Sequence, residues 1–175
     1  MEIRKAHMQD VEGMHALINN YAAQGLMLPR SRNALYEGIR EFTVVTENDR
    51  LIGCGSLHIL WHDLAEIRSL AIDPEYVKGG LGRQLVERLL AEAASLGIPR
   101  VFALTYVPDF FARCGFRQAS RDELPQKVWK ECINCPKFPD CDEIAVVIEV
   151  PLPAEKAPTG EALPEKEKEQ GKAAG

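Results

Sequence analysis

The run Val77-Lys78-Gly79-Gly80-Leu81-Gly82-Arg83 puts three glycines and two cations into seven positions, directly before an amphipathic helical pattern. Glycine lets a backbone approach a ligand closely and take positive φ. A helix start aims several N–H groups at one point, backed by the positive end of the helix dipole. The chemistry this combination suits is capture of a phosphate or pyrophosphate, with Lys78 and Arg83 adding full charges. It is not a nucleotide P-loop, because no Gly-Lys-Ser/Thr follows at the required spacing, and it does not fit GxGxxG. A tight turn with no ligand would use the same residues.

Three further groups could do chemistry. Glu66 shares a strand face with Leu64 and Arg68 by the period of two; it is either a reactive carboxylate or one simply paired to Arg68. Cys132-x2-Cys135-x5-Cys141 supplies three soft ligands, and Cys114 or Asp142 could complete a tetrahedral zinc site. Free thiols account for the same spacing. His58 and His62 flank Trp61 near a strand end, where a ligand, a base or a plain polar residue are all open. Five cysteines, an odd count with no secretion signal before them, argue against a disulfide framework.

The elements that must position these residues are readable from periodicity. Leu64–Ile72 is an apolar strand closed by Asp73-Pro74. Leu81, Leu85, Leu89 and Val86, Leu90, Ala93 recur at helical spacing until Gly97. Before them, Glu2–Lys5 reads as a short strand and Asp10–Tyr21 as an amphipathic helix broken at Gly25. Residues 27–32 form a loop, and Ser31 is placed to cap a second helix over Asn33–Arg40. Phe42–Thr46 and Leu51–Trp61 are strands of an antiparallel meander with Leu64–Ile72, and Gly53 and Gly55 mark a bend or bulge. After the long helix come a strand at Arg100–Tyr106, a short helix at Asp109–Cys114, an irregular stretch over Asp122–Asp140 and a final strand at Glu143–Val150.

The 175 residues hold one domain, residues 1–150, large enough for a real core, followed by a polar tail at 151–175. Four prolines and many Glu and Lys with almost no large apolar side chain predict that this tail is disordered. A net charge of −5 argues against nonspecific nucleic-acid binding. No apolar run approaches the roughly 20 residues that span a bilayer. With no apolar signal region at the N-terminus, a cytoplasmic location is expected.

Strand, Asp-Pro, a six-residue turn ending in Gly80-Leu81-Gly82 and an amphipathic helix resemble the acetyl-CoA loop of the GNAT superfamily of acetyltransferases. The superfamily usually begins that loop with Arg or Gln; here the position is Val77. The words LPRS (28–31), EIRSLA (66–71), RVFALTY (100–106), FFARCGF (110–116), LPQKVW (124–129) and CPKFPDCDE (135–143) sharpen the resemblance. In this order they are similar to the acetyltransferase domain of N-acetylglutamate synthases, in a short stand-alone form without the amino-acid-kinase-like regulatory domain of the long forms.

The resemblance implies an α/β (α+β) fold, a mixed, mostly antiparallel splayed sheet with helices on both faces. It implies acetyl-CoA as co-substrate, with pyrophosphate on the N–H groups of Lys78, Gly79, Gly80, Leu81, Gly82 and Arg83. The pantetheine arm would pair with the backbone of Leu70, Ala71 and Ile72. It implies Glu66 as general base, and direct transfer in a ternary complex. The family's usual acid is a tyrosine; that position is Phe111, which leaves Tyr106 as the nearest donor. The implied acceptor is the α-amine of L-glutamate, for arginine biosynthesis, gripped by Arg30, Ser31, Arg32 and Lys127.

Long forms carry Arg-Arg-Ser-Lys where this chain has Cys141-Asp142-Glu143, which keeps another amino acid, a polyamine or a protein N-terminus open as acceptor. A non-catalytic module built on Cys132, Cys135 and Cys141 is the distant alternative. No nucleic acid or membrane is expected as partner, no metal is required for the reaction, and a homodimer is left open.

Overall fold

A computed structural model describes residues 1–124 and 132–153. Lys127, the rest of its LPQKVW word beyond Leu124, and the tail from 154 onward lie outside the described residues. Seven strands form one sheet: β1 (Glu2–Lys5), β2 (Phe42–Glu47), β3 (Arg50–Trp61), β4 (Leu64–Ile72), β5 (Arg100–Thr105), β6 (Arg117–Gln118) and β7 (Ile144–Glu149). Their spatial order is β1-β2-β3-β4-β5-β7-β6. The β4–β5 neighbours run parallel and every other pair is antiparallel. The expected mixed, mostly antiparallel sheet is therefore the one found.

Helices cover both faces. α1 (Val11–Ala23) and α2 (Arg32–Glu37) pack on one, burying Val11, Met14, Ile18 and Leu35 against Val44, Cys54 and Ala71. α3 (Leu81–Ser95) and α4 (Pro108–Arg113) cover the other. Leu85, Val86 and Leu89 of α3 are fully buried there, each contributing about 1.5–3 kcal/mol. The second helix stops earlier than its periodicity predicts. Gly38 ends it and a 3-10 turn, Ile39–Glu41, leads into β2. The loop after β4 is likewise more ordered than expected: Asp73 accepts a hydrogen bond from Glu75 N and caps a 3-10 turn over Pro74–Gly79.

Two irregularities in β4 shape the site. Against β3, Cys54 pairs with Ala71 but Ser56 pairs with Arg68, so Ser69 and Leu70 stand opposite the single residue Gly55. Ser69 takes φ 51°, in the left-handed region. The extra residue reverses the alternation: Ala65 and Ile67 pack toward α3, and beyond the bulge Leu70 and Ile72 do. Gly55 packs closely here: a Cβ would lie 3.0 Å from Leu70 Cδ1 and 3.3 Å from Leu89 Cδ1, and those leucine ends would have to give way. The glycine pair marked the right place, but the extra residue is on the facing strand.

The second irregularity is the splay. β4 and β5 share a ladder only through Leu64–Arg100, Ala65–Val101 and Glu66–Phe102. Beyond these, β4 continues beside β3, while Ala103–Thr105 of β5 pair with β7. A gap opens between the two central strands, and the α3 N-terminus stands at its end.

Candidate active site

The gap is the floor of a cleft of about 1140 Å³. One wall is Glu66–Ile72 of β4 and another is Ala103–Val107 at the end of β5. The loop Leu26–Arg30 closes one side, and Val77, Lys78, Gly80, Gly82 and Arg83 close the end at α3.

The glycine turn arrives with its backbone exposed. The first helical bond of α3 is Gln84 N to Gly80 O at 3.2 Å, so the amides of Leu81, Gly82 and Arg83 precede the helical ladder. Among the described residues no side chain caps them. Gly80 has φ 76°, and a Cβ at Gly79 or Gly80 would meet nothing within 4 Å. Leu81 turns into the core, and Gly82 packs against Phe110, where a Cβ would lie 3.2 Å from Cε2. Lys78 is exposed at the rim. Arg83 is exposed and paired with Glu87 at 2.9 Å. The arrangement meets the steric and hydrogen-bonding needs of a pyrophosphate.

Leu70, Ala71 and Ile72 all line the cleft along the β4 edge that leaves β5. The Ile72 carbonyl accepts a hydrogen bond from the Tyr21 hydroxyl at 2.6 Å, which ties α1 to the end of the strand.

Glu66 is the last β4 residue paired to β5, so it stands where the splay begins. It is buried, and Arg68 Nε donates to its Oε2 at 2.5 Å. His58 faces it across the β3–β4 ladder, and His58 Nδ1 bonds Glu41 at 2.9 Å. Burial works to raise the Glu41 carboxyl. The His58 hydrogen bond, with the charges of His58, Arg68 and Arg30, outweighs it and holds Glu41 below the usual carboxylate range. Glu41, His58, Glu66 and Arg68 thus form one cluster on the α1 face of the sheet, of which Glu66 and Arg68 line the cleft.

Arg30 lines the cleft, and its Nε donates to Ser69 Oγ at the bulge, 3.3 Å away. Ser31 and Arg32 do not join it. Ser31 is the N-cap of α2, accepting from Ala34 N at 3.2 Å, and Arg32 forks onto Glu12 at 2.7 and 2.8 Å on the exposed outer side. Position Arg32 opens a helix, and that direction carries its side chain away from the loop.

Phe111 is buried in edge contact with Phe110 and Phe116, ring centroids 5.1 Å apart in each pair. It fills core space and has no proton to give. Tyr106 lines the cleft with its hydroxyl donating to Asp142 Oδ1 at 2.7 Å and accepting from Lys137 Nζ. Lys137 also pairs with Asp142 at 3.6 Å. Sequence reasoning singled out Asp142 but not Lys137, whose only signal was its place in the CPKFPDCDE word.

Cys132, Cys135 and Cys141 all line the cleft, yet no group of three His, Cys, Asp or Glu among the described residues is close enough to hold a metal. The zinc candidate does not assemble; Cys141 Sγ instead donates to Glu143 Oε2 at 3.6 Å. Burial pushes the Cys54 thiol up to about 12, and it also pushes up the half-buried Cys114 thiol against the pull of Arg83.

Residues 12–116 match the acetyltransferase (GNAT) family. The chain belongs to the GNAT family of acetyltransferases. It is 40% identical over 145 residues to an uncharacterized N-acetyltransferase of Chlorobaculum tepidum, covering 83% of this chain and 94% of that one. It is 39% identical over 132 residues to the amino-acid acetyltransferase of Mycobacterium tuberculosis, covering 74% of this chain and 75% of the relative. It also superposes on N-acetylglutamate synthase from Neisseria gonorrhoeae, solved with coenzyme A and N-acetyl-glutamate, with a TM-score of 0.78 at 34% identity. That match covers 85% of this chain and 35% of the synthase, so the chain spans about a third of it. As a GNAT member the protein is an acetyl-CoA-dependent N-acetyltransferase. Among the described residues no helix is long and apolar enough to cross a membrane.

Proposed function

We propose that this GNAT enzyme, through residues 1–150, moves the acetyl group of acetyl-CoA to the α-amine of L-glutamate, supplying N-acetylglutamate to arginine biosynthesis. The observation that carries the reading is Arg30, held to Ser69 at the β4 bulge on the same cleft wall as Glu66 and Arg68. Cations there suit the carboxylates of an acceptor whose amine must reach Glu66. The names of the relatives point the same way: amino-acid acetyltransferase, and a synthase solved with N-acetyl-glutamate.

In this reading the amides of Leu81, Gly82 and Arg83, with Lys78 at the rim, take the pyrophosphate. The β4 edge at Leu70–Ile72 pairs with the pantetheine amides. Glu66 takes a proton from the ammonium, directly or through water, and the freed amine attacks the thioester carbonyl. A backbone N–H of the splayed strand stabilises the oxyanion. The C–S bond then breaks, Tyr106 gives the departing thiolate its proton, and the second proton lost by the acetylated nitrogen passes through water to restore the Tyr106 hydroxyl. Transfer is direct in this reading, since the freed amine attacks the thioester itself and needs no acyl-enzyme; burial also pushes the Cys114 thiol up, which disfavours its thiolate.

Asp142 is offset by Lys137 and Tyr106, which lessens its repulsion of a dicarboxylate. Asp122 and Glu143 on the cleft lining favour the second reading, an acceptor carrying an extra positive charge. The test is free-CoA release with acetyl-CoA against the amino acids and a polyamine, one by one. Turnover with glutamate supports the assignment. Turnover with another amine and none with glutamate replaces it.

A further inference from the structure

The cation on which the acceptor reading rests is carried by a loop, and a loop residue needs something to hold it. Arg30 follows Pro29, which has no N–H to donate. Two anchors lie at the loop's ends: Leu26 N bonds Tyr21 O at 3.1 Å, and Ser31 begins α2 as its cap. Between them, both backbone polar groups of Arg30 end on one side chain. Asn19 Oδ1 accepts from Arg30 N at 3.2 Å, and Asn19 Nδ2 donates to Arg30 O at 2.9 Å. The same Nδ2 donates to His15 O at 2.9 Å, one turn back on α1, so the amide is itself locked to its helix.

Only an amide can fill this role at this reach. It donates and accepts at once, whereas a carboxylate only accepts and a hydroxyl is shorter. The chain of contacts runs from α1 through Asn19 to the Arg30 backbone, and from Arg30 Nε to Ser69 at the bulge of β4. Asn19 does not line the cleft, so it acts on the acceptor through Arg30 alone. The pyrophosphate end of the cleft, at Lys78–Arg83, shares none of these contacts.

We propose that Asn19 is a positioning residue for the amino-acid acceptor: it fixes Arg30 against the bulge and so sets acceptor affinity without touching the acetyl donor. The inference rests on the acceptor reading above and deepens it. Its test is steady-state kinetics on the full chain for wild type, Asn19→Ala, Asn19→Asp, Arg30→Ala and the Asn19→Ala/Arg30→Ala double variant.

In Asn19→Ala the KM for glutamate rises about tenfold, on the scale of one lost hydrogen bond, while the KM for acetyl-CoA is unchanged. Asn19→Asp, which keeps the bond from Arg30 N and loses both donors, also raises the acceptor KM alone. In the Arg30→Ala background Asn19→Ala adds nothing, because the group it positions is gone. Equal effects on both KM values, or full additivity with Arg30→Ala, overturn the proposal and make Asn19 a fold residue. A wild type inert toward glutamate but active on another amino acid overturns the acceptor assignment alone. The same cycle is then run on that amino acid, and the same split decides the role of Asn19.

Discussion

Replacing Gly80 by alanine tests the pyrophosphate cradle, and α3 supplies its own control. Gly80, at the start of the helix, has φ 76°; Gly97, just past its end, has φ 74°. At both positions a Cβ would meet nothing within 4 Å, so neither substitution clashes with the protein. Each should cost only the left-handed strain of an L side chain, about 1–2 kcal/mol. For a domain of this size that lowers the unfolding midpoint by about 2–8 °C, at roughly 2–4 °C per kcal/mol.

The two sites differ in what lies beside them. Gly80 precedes the amides of Leu81–Arg83, while Gly97 lies roughly 25 Å from it along the helix at 1.5 Å per residue and does not line the cleft. If the strained alanine turns one amide off the pyrophosphate, the loss is one charge-assisted hydrogen bond, about 1.5–3 kcal/mol. That is roughly a 10- to 100-fold rise in the Kd for acetyl-CoA.

Titration calorimetry with acetyl-CoA and thermal melts on both variants give the four numbers needed. The expected pattern is equal loss of stability with loss of affinity confined to Gly80→Ala. Wild-type affinity in Gly80→Ala would refute the cradle. Equal loss of affinity in Gly97→Ala would show that the effect travels through global stability instead. Gly80→Glu sharpens the result, since it adds bulk and a negative charge where phosphate belongs and should abolish binding.

Glu66→Gln should lower kcat about 10²- to 10⁴-fold with the acetyl-CoA Kd unchanged; a variant that keeps the acidic limb of its pH–rate profile removes Glu66 as the base. Tyr106→Phe should lower kcat about 10²-fold or more, within the range of acid–base contributions, and leave both KM values in place. Full activity in that variant would hand the thiolate's proton to water. Asp10 tests acid stability. Burial works to raise its carboxyl, but Arg4, bonded at 2.7 and 3.0 Å, and the His7 N–H outweigh burial and hold it below its ordinary value. A carboxyl lowered in the folded state binds more protons unfolded than folded, so stability falls as pH drops through and below the unfolded value of about 3.9. Asp10→Asn should therefore flatten the acid side of the urea midpoint measured from pH 7 to 3, and an unchanged acid slope would remove Asp10 from that linkage.

What was legible in the sequence, and what was not, divides along the range of the interactions. The strands around Leu64–Ile72, the helix over Leu81–Ser95 and the glycine turn between them each carry a local pattern, and each stands where that pattern put it. The place of Glu66 followed from alternation in the same way. Arg32 is the instructive departure. Nearness to Arg30 in the chain grouped the two, but the cap at Ser31 starts a helix between them and sends Arg32 out to Glu12. Asn19 with Arg30, and Glu41 with His58, were invisible because they join commonplace residue types 11 and 17 positions apart. The bulge was half visible. Gly55 marked it, yet the extra residue is an ordinary serine whose positive φ is imposed by register between β3 and β4. That serine is also where the Leu26–Arg30 loop meets the sheet, through Arg30 Nε. A β4 without its extra residue would keep Ile67 and Leu70 from both facing α3, and it would give Arg30 no hydroxyl at that point. The feature least marked in the sequence is therefore the one that joins β4 to the Leu26–Arg30 loop, the two walls to which we assign the donor and the acceptor.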